Sequence, residues 1–410
     1  MPHRRRRPFI TGLGVAMAGL LVSGAALPAS SHATDRKEAR GPEEERAPEG
    51  ARGPEGASEA EGARGAEEKP KPKPPPAASP AMGAYLDYGP EGVRRIAAMQ
   101  KWLGGTELRV GHSYLPGDMW SNIEGSPGFL EAWATWRNAR ADRIFALNVP
   151  MLENTEGPVN DSGVRRELRK GAQGDYDSHF RTLAERLVRL GVPDTVIVLG
   201  WEMNGVTYTH RCGPDPGAWK KYWNRIVTAM RAVPGQKFRF DFAPNRGRDD
   251  VPWTECYPGD DVVDIIGMDS YDQPTGQNFA DQVNEPYGLQ QHVDFAAAHG
   301  KVISYPEWGL FSKGDNPEYV RGMLQWMDTY KPLYNTITDY CPHGVWMCEK
   351  NPKSSRVFRS MLYGRTPAPA PNPTPECNAL NLGTWLENWL GGKICLPFHH
   401  LKHQREMWRS

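Results

Sequence analysis

Neither sign of charge is in excess along this 410-residue chain, where Lys+Arg 49 stand against Asp+Glu 49. A nucleic-acid binder would show a basic surplus, so that class is set aside. Long apolar runs are missing beyond the N-terminus, which excludes a multi-span membrane protein. No G-x-G-x-x-G or G-x-x-x-x-G-K-[ST] follows a predicted strand, so no nucleotide site is expected. Close Cys-x-x-Cys pairs are absent, and His112, His179, His210 and His292 fall on unrelated segments, so neither a zinc site nor another metal cluster is expected. Residues 34–80 contain no Ile, Leu, Val, Phe, Tyr or Trp. Such a stretch cannot bury enough apolar surface to offset its ordering entropy, and it reads as a disordered, charged and proline-rich linker.

Before that linker, residues 1–33 have the layout of an export signal. Arg4 to Arg7 form a charged start, no charged residue lies between Pro8 and Ala33, and Ser31-His32-Ala33 offers small residues for cleavage. The run Arg6 to Ile10 resembles a twin-arginine signal, with the general secretory route as the alternative. A secreted protein without membrane insertion after cleavage is expected. The six cysteines (Cys212, Cys256, Cys341, Cys348, Cys377 and Cys395) are even in number, which in an exported chain favours disulfides. Cys212 with Cys256 is the expected bridge between the segments after the fourth and fifth strands. Cys341 with Cys348 would bracket the eighth, and Cys377 with Cys395 would close the tail. That tail, residues 366–410, starts with a proline-rich run and is too small to hold a core unaided.

Between linker and tail, residues 81–365 alternate short β-type runs with helical patterns. Eight strands are predicted, at 84–87, 107–112, 143–149, 195–200, 238–243, 262–268, 301–305 and 344–347. Ile96, Met99 and Leu103 keep helical spacing, as do Phe180, Leu183, Leu187 and Leu190. Trp219, Trp223, Ile226 and Met230 make a third stripe, opened by Asp215 as cap and Pro216 at the first helical position. Eight strands with intervening helices predict an α/β fold, a (β/α)₈ barrel, rather than an open doubly wound sheet.

In such a barrel the chemistry lies at the C-terminal ends of the strands. The fourth strand runs into Trp201-Glu202-Met203-Asn204-Gly205, and the seventh into Pro306-Glu307-Trp308-Gly309. The sixth ends in Asp269-Ser270-Tyr271, the eighth in Trp346, and the second in Gly111-His112-Ser113-Tyr114. Two carboxylates among aromatics suit cleavage of a glycosidic bond. One must stay protonated to donate to the leaving oxygen, and the other must be ionised to attack the anomeric carbon. Aromatic faces supply apolar surfaces for sugar C–H groups.

These residues together resemble glycoside hydrolase family 26, in the clan of retaining (β/α)₈ glycosidases. The resemblance implies Glu202 as acid/base, in the Glu-Met-Asn-Gly run, and Glu307 as nucleophile. It further implies that Tyr271 hydrogen-bonds the nucleophile with Asp269 as its companion, and that Trp346 floors the sugar site. Trp201, Asn204, His112 and Trp308 complete the expected substrate-binding set. Trp201 stands where the family has a histidine. An indole donates one hydrogen bond and accepts none, so the contact to the sugar 2-hydroxyl changes. The implied activity is double displacement on a β-linked polysaccharide, endo-acting and β-mannanase-like, by a monomer with no cofactor. The rival is a non-catalytic carbohydrate-binding or cell-envelope-associated barrel.

Overall fold

The computed structural model describes residues 80–311 and 313–365. The export segment, the linker up to residue 79 and the tail with Cys377 and Cys395 lie outside the described residues. Eight barrel strands follow one another as β1 (Ala81–Tyr85), β2 (Val110–Tyr114), β3 (Ile144–Val149), β4 (Val196–Leu199), β5 (Arg239–Phe242), β6, β7 and β8 (Tyr334–Thr338). Two are broken: β6 consists of Ile265–Ile266 and Ser270–Tyr271, and β7 of Val302–Ile303 and Tyr305–Gly309. Every pairing is parallel, and β1 is bonded to both β2 and β8. The first pieces of β6 and β7 pair with each other, as do the second pieces. The sheet therefore closes, and the molecule is the (β/α)₈ barrel read from the sequence.

Seven predicted strands overlap observed ones, and the eighth does not. Residues 344–347 belong to a loop, whereas β8 is Tyr334-Asn335-Thr336-Ile337-Thr338. The reason is the barrel interior. Near the mouth it is polar, so β8 turns Thr336 and Thr338 inward where apolar residues would mark a strand. The loop at 344–347 is organised differently, around the buried Asp339. Its carboxylate accepts the backbone N–H groups of Val345 (2.6 Å), Trp346 (2.9 Å) and Met347 (3.0 Å). The Cys341–Cys348 disulfide closes the same loop, so it follows β8 rather than bracketing it.

Side chains alternate along each strand between two cores. Inside the barrel Val110, Ala146, Val196, Val198, Ala243 and Ile265 pack together, with Tyr334. Outside, Leu147, Leu199, Phe240 and Trp308 face the helices. The helix Pro216–Arg231 shows how the outer layer holds the mouth in place. Asp215 caps it through the Ala218 N–H (3.0 Å), and Trp219, Tyr222, Trp223, Ile226 and Met230 form its buried face. The Trp219 indole donates to the His210 carbonyl (2.7 Å) and that of Trp223 to the Leu199 carbonyl (3.3 Å). Each such side chain contributes roughly 1.5–3 kcal/mol by burial and also anchors the segment after β4.

Candidate active site

The chain leaves β4 through two left-handed residues, Gly200 (φ +55°) and Glu202 (φ +50°). Gly200 is required there, since a Cβ would lie 2.4 Å from the Met151 sulfur. For Glu202 the conformation costs on the order of 1–3 kcal/mol, and the surroundings must impose it. They do so through the Glu202 N–H to the Ala243 carbonyl (2.8 Å) and the Gly205 N–H to the Glu202 carbonyl (3.1 Å). Asn204 adds a double tie: its Oδ1 accepts the Asn245 N–H (2.8 Å) and its Nδ2 donates to the Asn245 carbonyl (3.1 Å). The Cys212–Cys256 disulfide, with Cα atoms 6.1 Å apart, joins the segments after β4 and β5 as expected. Asn204 thus departs from the sequence reading. It is fully buried with its amide spent on the backbone, so it holds Glu202 in place and offers nothing to a sugar.

Glu307 owes its direction to a bulge in β7. Asn335 of β8 lies opposite Tyr305, and Ile337 opposite Trp308, so three residues face two across the pairing. Tyr305 points outward, its hydroxyl accepting from the Trp326 indole (2.6 Å). Strict alternation would then send Glu307 outward and Trp308 inward. The extra residue reverses both. Glu307 turns into the barrel, and Trp308 packs outside against Phe358, with ring centroids 6.1 Å apart. Trp308 is fully buried and donates to Asn335 (3.3 Å), so it has no face for substrate, contrary to the sequence reading.

The inward Glu307 carboxylate collects donors from three strands. Tyr271 donates to Oε2 (2.8 Å) and Asn148 to Oε1 (2.9 Å), and the Tyr114 phenol is a third partner. Tyr114 and Asn148 are register partners on β2 and β3, which brings them to the same point. Behind Asn148 stands His112, with Nε2 2.9 Å from the Asn148 Oδ1 and Nδ1 2.9 Å from the Thr336 hydroxyl. Burial pushes His112 down to about 4, so it is neutral near pH 7. It was expected to touch substrate, but it is wholly buried one layer below and orients Asn148 instead. The Tyr271 hydroxyl also lies 2.8 Å from that of Thr338, which fixes its rotation.

The electrostatics separate the two carboxylates. Burial raises both above the ordinary range. For Glu307 this is opposed by the hydrogen bonds from Tyr114, Tyr271 and Asn148. Glu202 is pushed up further by the negative fields of Glu307 and Asp249, with only Tyr208 opposing. Glu202 is the half-buried one of the pair, open towards the mouth, while Glu307 is buried. Asp269, also buried, is driven up by burial and then by the fields of Glu307, Glu202 and Asp241. The Glu307 main chain softens that shift, yet neither Asp269 oxygen meets a partner in hydrogen-bond geometry.

Trp201 is 5% exposed, its ring edge-on to Tyr114 (5.6 Å), Tyr208 (5.0 Å) and His210 (5.2 Å). It buttresses the residues that meet the two glutamates. Trp346 is half-buried in the loop after β8, not on the strand. Sequence reasoning missed Asn148, Tyr114, Tyr208 and Thr338. Tyr114 sat two residues beyond His112 in a run already singled out, and period-two alternation puts both on one face. Among the described residues no group of three or more His, Cys, Asp or Glu could hold a metal ion.

The model of glycosyl hydrolase family 26 matches residues 194–340, from β4 to just beyond β8, and so takes in both glutamates. Over that stretch the chain is similar to glycosyl hydrolase family 26, in keeping with its barrel fold. The activity class that follows is O-glycosyl hydrolase. Among solved structures, the Bacillus subtilis mannanase BCman is 16% identical, with 68% of this chain and 84% of that one covered at a TM-score of 0.51. A family 26 β-mannanase from Bacteroides ovatus is 17% identical, with coverages of 69% and 86% and a TM-score of 0.51. A double mutant of the Cellulomonas fimi endo-β-1,4-mannanase gives 18%, 70% and 71%, and 0.53. At these identities the likeness is one of fold. Comparison of the sequence with curated proteins gives no match.

Proposed function

We propose that this family 26 hydrolase cleaves a neutral β-linked polysaccharide internally, with retention, by double displacement. Glu307 attacks the anomeric carbon while Glu202 protonates the departing oxygen, and Glu202 then deprotonates the water that releases the sugar. The observation that carries this reading is the asymmetry of the pair. Three donors favour the charged form of Glu307, whereas burial and the Glu307 charge favour the neutral form of Glu202. A nucleophile and an acid need those two states at one pH. Support for a mannan-like substrate comes from the structural neighbours described as mannanases.

The site of action is extracellular on this reading, with the protein a monomer. The charged start and uncharged stretch of residues 1–33 support export, and two disulfides fit an oxidising compartment. The test is hydrolysis of mannan, xylan, mixed-linkage glucan and β-1,3-glucan, with the anomer of the first product followed by NMR. A β-anomer that later mutarotates is expected. An α-anomer would mean inversion and would remove the nucleophile role, and no cleavage would remove the enzyme reading.

A further inference from the structure

Three buried rings from the segment after β4, Trp201, Tyr208 and His210, stand beside Glu202 and take no part in the two-glutamate mechanism. His210 lies flat on Tyr208 (5.0 Å, 13°), and Trp201 is edge-on to both. The His210 Nε2 lies 3.0 Å from the Trp201 carbonyl, an acceptor only, so Nε2 carries the proton. Burial pushes this imidazole down to about 4, so it adds no charge near neutral pH. The segment is held on both sides of the rings. The Thr209 N–H donates to the Thr155 carbonyl (2.8 Å) and the Cys212 N–H to the Met203 carbonyl (2.7 Å), and Cys212 is then bridged to Cys256.

The chemistry of these groups gives their hydrogen bonds one direction. Trp201 is a side-chain partner of Tyr208, and Tyr208 of Glu202. An indole N–H can donate but not accept, so the Tyr208 oxygen accepts from Trp201 and its single proton points to Glu202. Burial, then the fields of Glu202 and Glu307, hold the Tyr208 phenol far above its ordinary range, so that proton stays on Tyr208. Donation to a carboxylate favours its charged form. The other titratable groups that face Glu202 work the opposite way or not at all. Glu307 and Asp249 favour its neutral form, while Asp269, Tyr271 and Tyr340 have their own ionisation opposed by its charge. Among these groups Tyr208 alone favours the carboxylate.

We infer that Trp201 and Tyr208 are positioning residues, a donor relay that steadies Glu202 as the carboxylate base of the second half-reaction. This role rests on the proposed double displacement and deepens it. In the first step the Glu202 proton passes to the leaving oxygen as the bond from Glu307 to the anomeric carbon forms and the glycosidic C–O bond breaks. Glu307 is then an uncharged ester, and Glu202 waits as a carboxylate with Tyr208 donating to it. In the second step Glu202 takes a proton from water, whose oxygen bonds to the anomeric carbon as the ester C–O bond breaks. Trp201 is a donor to Tyr208 here and not a sugar contact, since it is 5% exposed and its one N–H is already given.

The test uses whichever of mannan, xylan, mixed-linkage glucan or β-1,3-glucan the enzyme cuts fastest, and a dinitrophenyl glycoside of the same sugar, whose departure needs no proton. Tyr208→Phe keeps the ring on His210 and removes the hydroxyl. On the dinitrophenyl glycoside it should lower kcat about ten-fold, give a burst of dinitrophenol equal to the enzyme present, and leave kcat/KM within about two-fold. Azide, which attacks the glycosyl-enzyme without a base, should restore kcat. On the polysaccharide the alkaline limb should move to higher pH, because losing a donor raises the Glu202 pKa and the acid keeps its proton longer. Trp201→Phe keeps a ring and removes the N–H, and should lower the same kcat about three-fold and move the limb the same way. An unmoved limb and an unchanged kcat in both variants would overturn the relay and leave the hydrolase reading intact. Equal losses of kcat and kcat/KM that azide does not relieve, with a lowered Tm, would overturn it in favour of a packing role. Failure of the wild type on all four polysaccharides would overturn both.

Discussion

The segment after β4 and the second half of β7 each deliver a glutamate to one point, by opposite backbone devices. Glu202 sits on a left-handed turn that is clamped by Asn204 and a disulfide, and it meets few donors. Glu307 sits in extended chain re-aimed by a bulge, and three donors converge on it. The same side chain thus receives two protonation tendencies: donors oppose the burial of Glu307, whereas the fields of Glu307 and Asp249 add to the burial of Glu202. Asp241 supplies a third case inside the barrel. It accepts from Ser304 (2.6 Å) and Tyr334 (2.7 Å) but has an unpartnered Oδ1, and burial raises it to about 7.

The comparison breaks most severely at Glu307. Glu307→Ala should lower kcat by on the order of 10⁴-fold or more, because no other group attacks. Added azide should restore turnover and yield a glycosyl azide of inverted configuration. Rescue without such an adduct would place the nucleophile elsewhere.

Glu202→Ala should cost about 10²–10⁴-fold on a polysaccharide, the usual range for a lost general acid. With an aryl glycoside whose leaving group needs no proton, the first step should stay close to wild type. An equal loss on both substrates would point to a structural role for Glu202.

Asp241→Asn tests whether donors decide the charge. Since Asp241 holds its proton up to about 7 in the fold, the folded state binds more protons than the unfolded chain between the ordinary carboxyl range and pH 7. Stability conferred by the wild-type group therefore falls as pH rises through that window, and the deficit is complete above it. At about 1.4 kcal/mol per unit, the asparagine variant should gain on the order of 2–4 kcal/mol relative to wild type at pH 8 compared with pH 4. Melting curves that shift equally at both pH values would show that Asp241 is ionised throughout.

The smallest effect is expected from Tyr271→Phe, which removes one of the three donors to Glu307. Activity requires Glu307 ionised, so the acid limb of the pH profile belongs to it and the alkaline limb to Glu202. Losing a donor raises the Glu307 pKa, which moves the acid limb to higher pH and lowers kcat about ten-fold. An unmoved acid limb would show that Tyr271 does not stabilise the charge.

The placement of the two glutamates was legible along the chain. Glu202 and Glu307 announce themselves because each follows an apolar strand that a (β/α)₈ barrel ends at its mouth. The Cys212–Cys256 bridge follows from adjacent strands. Less legible was β8, whose interior side chains are polar because they lie under the site, so the hydrophobic pattern that marks other strands is missing. Trp308 was misassigned for a related reason. A bulge shifts the facing of a strand by one residue, and its presence is set by pairing with β8 rather than by local composition.

The sequence by itself determined the alternation of strands and helices, the closing barrel and the two carboxylates at its mouth, since periodicity and strand order are local properties of the chain. Only the tertiary structure decided which groups surround them. Asn148, Tyr114 and Tyr271 come from β3, β2 and β6, and they meet Glu307 because parallel register and closure bring distant strand ends to one carboxylate. The protonation tendencies of Glu202 and Glu307 follow from that convergence, because the donors and the neighbouring charges that reach a buried carboxyl set its state.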